Sequence, residues 1–206
     1  MPVFIKDHIR ILYVHTPKTG GTSIEKFFAD NGFHVAMLDR GGANSLLTVL
    51  KCPPQHMHAA MLSDLLHMGG FAYRFMTVRH PIARIVSEYV MRAAEQPWIE
   101  PFDGWVAHIL RAYEADNLVL DNHIRPQSDF LLPGCEVFRL EDGLGPAWVD
   151  TLAERTLCEF THRRVGREMR FGASRPPVPD HATRQRLAAF YARDFAQFGY
   201  DPAADT

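Results

Sequence analysis

The chain has 206 residues, of which 47% are hydrophobic, and this is enough to build one domain with a sizeable core. Lysine and arginine together number 22 against 24 acidic residues, so the formal net charge is −2. A nearly neutral chain has no long-range field that would attract nucleic acid, and any site for an anion therefore has to be a local pocket.

The sequence shows neither a membrane anchor nor a disulfide framework. Charged residues interrupt the apolar N-terminal stretch at Lys6, Asp7 and Arg10, and no later stretch approaches the ~20 uninterrupted apolar residues of a spanning helix. The three cysteines are widely spaced and form no CxxC pair: Cys52, Cys135 and Cys158. We therefore predict a soluble, cytoplasmic protein with reduced thiols.

Short apolar runs alternate along the chain with longer amphipathic stretches. The apolar runs predict four strands, at residues 11–14, 33–38, 73–78 and 136–140. The amphipathic stretches predict five helices, at residues 23–31, 82–94, 102–113, 146–157 and 182–195. Strands that alternate with helices are typical of a parallel sheet covered on both faces, so we predict a single α/β domain over residues 1–206.

The segment HTPKTGGTS, residues 15–23, directly follows the first predicted strand. A loop between the end of a strand and the start of a helix exposes unpaired N–H groups at the positive end of the helix dipole. Gly20 and Gly21 let the backbone curl so that these groups converge, and Lys18 adds a mobile positive charge. Three hydroxyls supply further donors, those of Thr19, Thr22 and Ser23. The loop is therefore predicted to hold a phosphate or sulfate.

Two other interpretations of this loop stay open at this point. The nucleotide-triphosphate loop GxxxxGK[ST] places its lysine after the last glycine and next to the hydroxyl that binds magnesium, whereas Lys18 precedes both glycines. This difference disfavours an ATPase or GTPase. The simpler alternative is a plain strand–turn–helix junction, in which glycine makes the bend and serine or threonine caps the helix.

A second strand–turn–helix segment reads FMTVRHPIARIVSEY, residues 75–89. Arg79 lies at the end of the predicted strand, Pro81 suits a first helical turn, and Ser87 follows about two turns into the helix. If the two predicted strands are neighbours, Arg79 and Ser87 both face a phosphate beside the first loop. Taken alone, the segment is also compatible with a surface arginine and an ordinary helical serine.

PKTGGTS followed by VRHPIARIVSEY resembles the motif pair of the sulfotransferase superfamily, whose donor is 3′-phosphoadenosine 5′-phosphosulfate (PAPS). The resemblance implies a three-layer αβα fold of the P-loop type, with a central parallel β-sheet flanked by helices. It implies that the first loop cradles the phosphosulfate, through Pro17, Lys18, Thr19, Gly20, Gly21, Thr22 and Ser23. It also implies that Arg79 and Ser87 hold the 3′-phosphate.

The likeness continues through the rest of the chain, with two departures. Residues 138–142, FRLED, resemble the late strand motif, and residues 191–200 resemble the closing helix of the family. The family usually has an acid where this chain has His80. It also often has an asparagine near residues 171–175, where this chain has none, and Ser174 is the implied donor contact there.

Two histidines lie between the motifs, in the segment HMHAAML at residues 56–62. Transfer of a sulfuryl group to an alcohol needs a base for the hydroxyl proton, and a positioned histidine suits this near neutral pH. Because residues i and i+2 of extended chain face opposite ways, we expect only one of the two in the site. The segment resembles the uronyl 2-O-sulfotransferase branch, which implies that His58 is the general base and that His56 supports it or contacts the acceptor. Packing or surface histidines remain the alternative.

A polar segment, DNHIRPQ at residues 121–127, precedes the last predicted strand. In the family this region meets the acceptor, which implies substrate-binding roles for Arg125 and Gln127, with His123 a weaker candidate. A bidentate arginine suits a sugar carboxylate. The alternative is a solvated turn.

The resemblance as a whole implies a PAPS-dependent O-sulfotransferase whose catalytic residues are His58, Lys18 and His56 and whose nucleotide product is adenosine 3′,5′-bisphosphate (PAP). Its partners are then the nucleotide donor and a hydroxyl acceptor, with a carbohydrate preferred, and it needs no metal, no nucleic acid and no membrane anchor. Two rivals stay open, a P-loop kinase or NTPase and a non-catalytic module that keeps the nucleotide pocket.

Overall fold

The fold is that of a computed structural model, which describes residues 1–43, 45–96, 98–166 and 176–204. Five strands in this part of the chain form one sheet: β1 Val3–Lys6, β2 Ile9–Val14, β3 His34–Ala36, β4 Tyr73–Val78 and β5 Glu136–Arg139. Their spatial order is β3-β1-β2-β4-β5.

Seven α-helices and five short 3-10 turns accompany the sheet in the described residues. The helices are α1 Gly21–Asp30, α2 Ala59–Leu65, α3 Pro81–Glu95, α4 Phe102–Ala115, α5 Pro146–Thr156, α6 His181–Phe190 and α7 Ala192–Phe198. The turns are Pro54–His56, Met68–Gly70, Val119–Asn122, Gln127–Phe130 and Leu140–Asp142. The stretch 182–195, which the pattern predicts as one helix, is divided at Tyr191, whose buried hydroxyl donates to the carbonyl of Ile124 at 2.8 Å.

The sheet is mixed, so the prediction of a parallel sheet is wrong for one strand. β2, β4 and β5 are parallel neighbours, whereas β1 pairs antiparallel with both β2 and β3. The charged N-terminal residues that interrupt the apolar run belong to the β1–β2 hairpin. Asp7 makes the turn with a φ of 52°, and Arg10 is exposed at the start of β2.

Alternate residues of the central strand pack on opposite faces of the sheet. Ile11 and Tyr13 of β2 belong to a core cluster with residues of α1 and α5, whereas Leu12 and Val14 belong to a cluster with residues of α2 and α7. Each large apolar side chain buried in this way contributes about 1.5–3 kcal/mol to stability. A third cluster joins α3, α4 and α6. None of the helices in the described ranges is both long and apolar enough to cross a membrane.

Candidate active site

The carboxyl ends of β2 and β4 lie side by side, since the strands are parallel neighbours with Val14 opposite Met76. The loops that follow them open into one cleft of about 930 Å³, a volume within the range of small-molecule sites. Residues of both sequence motifs line it: Pro17, Lys18, Gly20, Gly21, Thr22, Ser23, Arg79 and Ser87. The structure thus brings the two predicted anion-binding loops together.

The first loop presents the N-terminus of α1 to the cleft. Gly20, with a φ of 89°, is the residue that precedes the helix, and it has no side chain that could cap the first turn. The first turn also contains no acidic residue. The positive end of the helix dipole therefore lies at the cleft, where it favours an anion.

His15 lies directly against this turn. A Cβ atom built on Gly21 would be 1.9 Å from Nε2 of His15, so only glycine fits beside the ring. The other ring nitrogen, Nδ1, is hydrogen-bonded to Oε1 of Glu25 at 2.7 Å, and Arg40 donates to the second oxygen of Glu25 at 3.1 Å. All three of these side chains line the cleft, and none of them was a predicted site residue.

Thr19 has a different role from the one that the resemblance implies. It is fully buried, does not line the cleft, and donates its hydroxyl hydrogen to the carbonyl of Thr16 at 2.7 Å. Its oxygen is also hydrogen-bonded to the hydroxyl of Thr77 at 2.9 Å, which in turn contacts the hydroxyl of Tyr13 at 2.7 Å. The Thr19 side chain therefore ties the first loop to β4 instead of donating to a ligand.

Lys18 lines the cleft in a left-handed conformation, with a φ of 68°. Its ammonium group donates to the sulfur of Met91 at 3.1 Å. Burial lowers the pKa of Lys18, and the negative charge of Glu88 acts in the opposite direction. Glu88 therefore helps to keep the lysine charged.

Gln127 supports the second loop and is not positioned to bind a substrate, which corrects its predicted role. It is fully buried, and its amide both accepts from the N–H of Arg79 at 2.9 Å and donates to the carbonyl of Arg79 at 2.8 Å. Asp194 accepts from the N–H of Gln127 at 2.7 Å. The polar groups of Gln127 are thus used to fix the backbone of Arg79.

At His80, which replaces the usual acid, the loop is supported by other groups. The N–H of His80 donates to Glu141 at 2.7 Å, and Tyr200 donates to the second oxygen of the same carboxylate at 2.8 Å. The ring of His80 lies 3.0 Å from the carbonyl of Asp201 through Nε2 and packs edge-on against Phe195. Glu141, in the late strand motif, therefore provides a carboxylate beside the loop.

Arg125 also lies outside the lining of the cleft, so its predicted grip on the acceptor is corrected. Its guanidinium donates to the side chain of Asn122 at 2.8 Å, to Asp129 at 3.1 Å and to Asn117 at 2.8 Å. The residue is only 7% exposed. Its guanidinium therefore fastens its own segment of chain.

Three histidines meet in the cleft: His15, His56 and His123. The ring centroid of His56 lies 5.2 Å from that of His15 and 4.6 Å from that of His123, with both pairs close to perpendicular. Burial, and then the positive charges of His123 and His15, hold the pKa of His56 well below its usual value. His56 is therefore neutral near pH 7.

His58, the predicted base, is not among the residues that line the cleft. It precedes the first residue of α2 and is partly buried, and burial and the charge of Arg125 lower its pKa. Of the histidine pair, only His56 faces the cleft. One further predicted contact, Ser174, lies outside the described residues.

The sequence did not predict the buried carboxylate of Glu88, which lies behind His123. Glu88 of α3 contacts Nδ1 of His123 at 2.7 Å and accepts from Nε of Arg92 at 2.8 Å. Burial alone would raise the pKa of Glu88, but His123 and Arg92 hold it down at about 2. The only sequence signal was an acid directly after Ser87 in the motif, on a helix with apolar neighbours.

Within the described ranges, no group of histidine, cysteine and acidic side chains has the arrangement of a metal site. A family model described as the sulfotransferase family matches residues 1–201, which is nearly the whole chain. No curated protein and no solved structure gives a match. The chain therefore belongs to the sulfotransferase family and is a transferase of sulfuryl groups.

Proposed function

We propose that the protein transfers a sulfuryl group from PAPS to a hydroxyl of an acceptor, with a carbohydrate as the acceptor class. The observation that carries the proposal is that the two family motifs line one cleft. The carbohydrate acceptor rests on the resemblance of the HMHAAML segment alone. Four finer features belong to the same proposal: a three-layer αβα arrangement of the P-loop type, a single domain, a cytoplasmic location and independence from metal.

The donor is proposed to lie with its sulfate end in the first loop. The N-terminus of α1 suits this anion, since the positive end of the helix dipole lies at the cleft and Lys18 lies beside it. Gly20, Gly21, Thr22 and Ser23 contribute the remaining contacts of the loop. Arg79 and Ser87, across the same cleft, are proposed to hold the 3′-phosphate, with Ser174 as an additional contact to the donor.

We assign the general base to His56 in place of His58. Its position on the cleft supports this, and so does its lowered pKa, because a neutral imidazole has the lone pair that accepts a proton. His56 takes the hydroxyl proton while the acceptor oxygen bonds to sulfur and the bond from sulfur to the bridging phosphate oxygen breaks. PAP leaves with that electron pair, and Lys18 with the loop N–H groups stabilises the charge that develops.

The test compares three variants in transfer of labelled sulfate from PAPS to a panel of saccharides and simple alcohols. His56→Asn is expected to lower kcat by about 10²–10⁴-fold, as for loss of a general base, with little change in the affinity for PAP. His58→Asn is the matched control and is expected to retain most of kcat. Arg79→Ala is expected to weaken PAP binding, measured by calorimetry with and without magnesium.

The outcomes separate the proposal from its rivals. Full turnover in His56→Asn together with a loss in His58→Asn would return the base to His58. Magnesium-dependent ATP binding that outcompetes PAPS would indicate a kinase or NTPase. Tight PAP binding without transfer to any acceptor in the panel would indicate a non-catalytic nucleotide-binding module.

A further inference from the structure

The buried carboxylate of Glu88 fixes the orientation of His123. Glu88 has no exposed surface, and each of its oxygens is paired, one with Nδ1 of His123 at 2.7 Å and the other with Arg92. Because the carboxylate is ionised, it only accepts, so Nδ1 of His123 carries a hydrogen. An imidazole held by a buried carboxylate is the usual way in which a protein orients a histidine at a reacting centre.

His123 and its neighbour in sequence both hold His56. The rings of His123 and His56 meet at 4.6 Å between centroids, with an angle of 77° between their planes. Asn122 donates from its side chain to the carbonyl of His56 at 2.9 Å. The side chain and the backbone of His56 are therefore both supported from one short segment.

This segment is strained and is fastened to α3. Residues 120–122 have successive left-handed φ angles of 52°, 55° and 67°, a conformation that residues other than glycine, asparagine and aspartate, such as Leu120, rarely adopt. Arg84 of α3, which is almost completely buried, donates to the carbonyl of His123 at 2.7 Å and to that of Arg125 at 2.6 Å. Strain of this kind persists only where the surrounding structure enforces it, and it is common at functional sites.

We propose that Glu88 is a positioning residue for the general base, because it fixes His123 and through it holds the imidazole of His56 in the cleft. The inference rests on the assignment of His56 under the proposed function. Glu88 directly follows Ser87 in α3, so one helix carries both a proposed contact to the donor and the support of the base. This arrangement sets the distance between base and donor by a rigid element.

The test uses Glu88→Gln, which keeps the shape of the side chain and removes its charge. We expect kcat to fall by about 10–100-fold, the size of effect that misplacement of a reacting group produces, while the acceptor KM changes by less than about threefold. Loss of the Glu88 charge also lowers the pKa of Lys18, so the spectra of His56 described below separate the positioning role from this effect. Arg92→Gln is the matched control, because Arg92 contacts the same carboxylate but not His123. It is expected to retain kcat within about threefold.

A second measurement does not depend on turnover. Imidazole nitrogen spectra are expected to show a shift of the His56 ring signals in Glu88→Gln and no shift in Arg92→Gln. Unchanged His56 signals, wild-type kcat in Glu88→Gln, or an equal loss of kcat in Arg92→Gln would each overturn the positioning role.

Two further results keep the inference separate from folding and from the proposed function. If Glu88→Gln does not fold, His123→Asn replaces it, and wild-type kcat in that variant overturns the inference. If the wild-type protein transfers no sulfuryl group at all, the proposed function fails, and the spectra alone decide whether Glu88 positions His56.

Discussion

The imidazole of His15 lies so close to the backbone of Gly21 that no side chain fits at position 21 while the ring is present. A Cβ atom on Gly21 would lie 1.9 Å from Nε2 of His15. The ring cannot easily move away, because its Nδ1 is hydrogen-bonded to the buried carboxylate of Glu25. Glycine is thus required here by a specific neighbour, in addition to any requirement from a bound anion. The shape of the anion loop depends on a residue that precedes the motif.

Gly21→Ala is expected to destabilise the protein by about 1–3 kcal/mol, as overpacking does, and to weaken PAP binding. Urea unfolding and calorimetry measure the two effects. Gly70→Ala is the matched control, since a Cβ there meets nothing within 4 Å. In a His15→Ala background the added cost of Gly21→Ala should largely disappear, and an undiminished cost would contradict the steric explanation.

At the scale of elements, helix α3 and the strained turn Val119–Asn122 together position side chains of the site. α3 supplies Arg84 and Glu88 to this segment, and the segment supplies Asn122 and His123 to His56. The left-handed backbone of the turn leads directly into these two residues, and both of their side chains contact His56. Contacts to α3 offset the unfavourable conformational free energy of this backbone.

Substitutions at Asp121 test this element without touching the cleft, because the side chain is exposed and φ is 55°. Asp121→Val is expected to destabilise the protein by about 1–2 kcal/mol, since a β-branched residue is strongly disfavoured in this conformation. Asp121→Asn and Asp121→Gly, which tolerate it, are the matched controls and should unfold at similar urea concentrations to the wild type. Equal stability of all three variants would show that the turn is not strained.

The local sequence pattern was enough to predict the alternation of strands and helices and the two loops that line the cleft. The strand predicted at 73–78 has the bounds of β4. Lys18, Gly20 and Gly21 are close together in sequence, so the local pattern was enough to assign them to one loop. β1 was missed because it is short and its pairing with β3 joins residues about thirty positions apart, which periodicity does not record.

The predicted roles that the contacts do not support are those of residues with distant partners. Gln127 is polar and adjacent to loop-like residues, yet its amide is used by Arg79, 48 positions away, and its N–H by Asp194, 67 positions away. The choice between His56 and His58 depended in the same way on the packing of His56 against His123. Neither set of contacts can be recognised from the local sequence pattern.

For the molecule as a whole, the buried charges of the site make folding sensitive to acid. The pKa of His56 is lowered by burial, and the pKa values of Glu25 and Glu88 are lowered despite burial, by His15 and by His123 with Arg92 respectively. Each group therefore binds fewer protons in the folded than in the unfolded chain, so the free energy of unfolding falls as pH falls.

The stability is expected to decrease as pH drops below about 6.5, where His56 is protonated only in the unfolded chain, and again below about 4.5 through the two carboxylates, with the contribution of Glu88 lost as pH approaches about 2. Urea unfolding at a series of pH values measures this. His56→Gln should flatten the first part of the profile, with the exposed His34→Gln as the matched control. An unchanged profile in His56→Gln would contradict the lowered pKa.

Strand β1 protects one long side of β2, the strand that leads into the anion loop. A chain without residues Val3–Lys6 would expose that side as a row of unpaired N–H and C=O groups, which invites pairing with another molecule and aggregation. Deletion of β1 is therefore expected to lower the solubility of the protein and to weaken the strand from which the loop begins, although no residue of β1 lines the cleft.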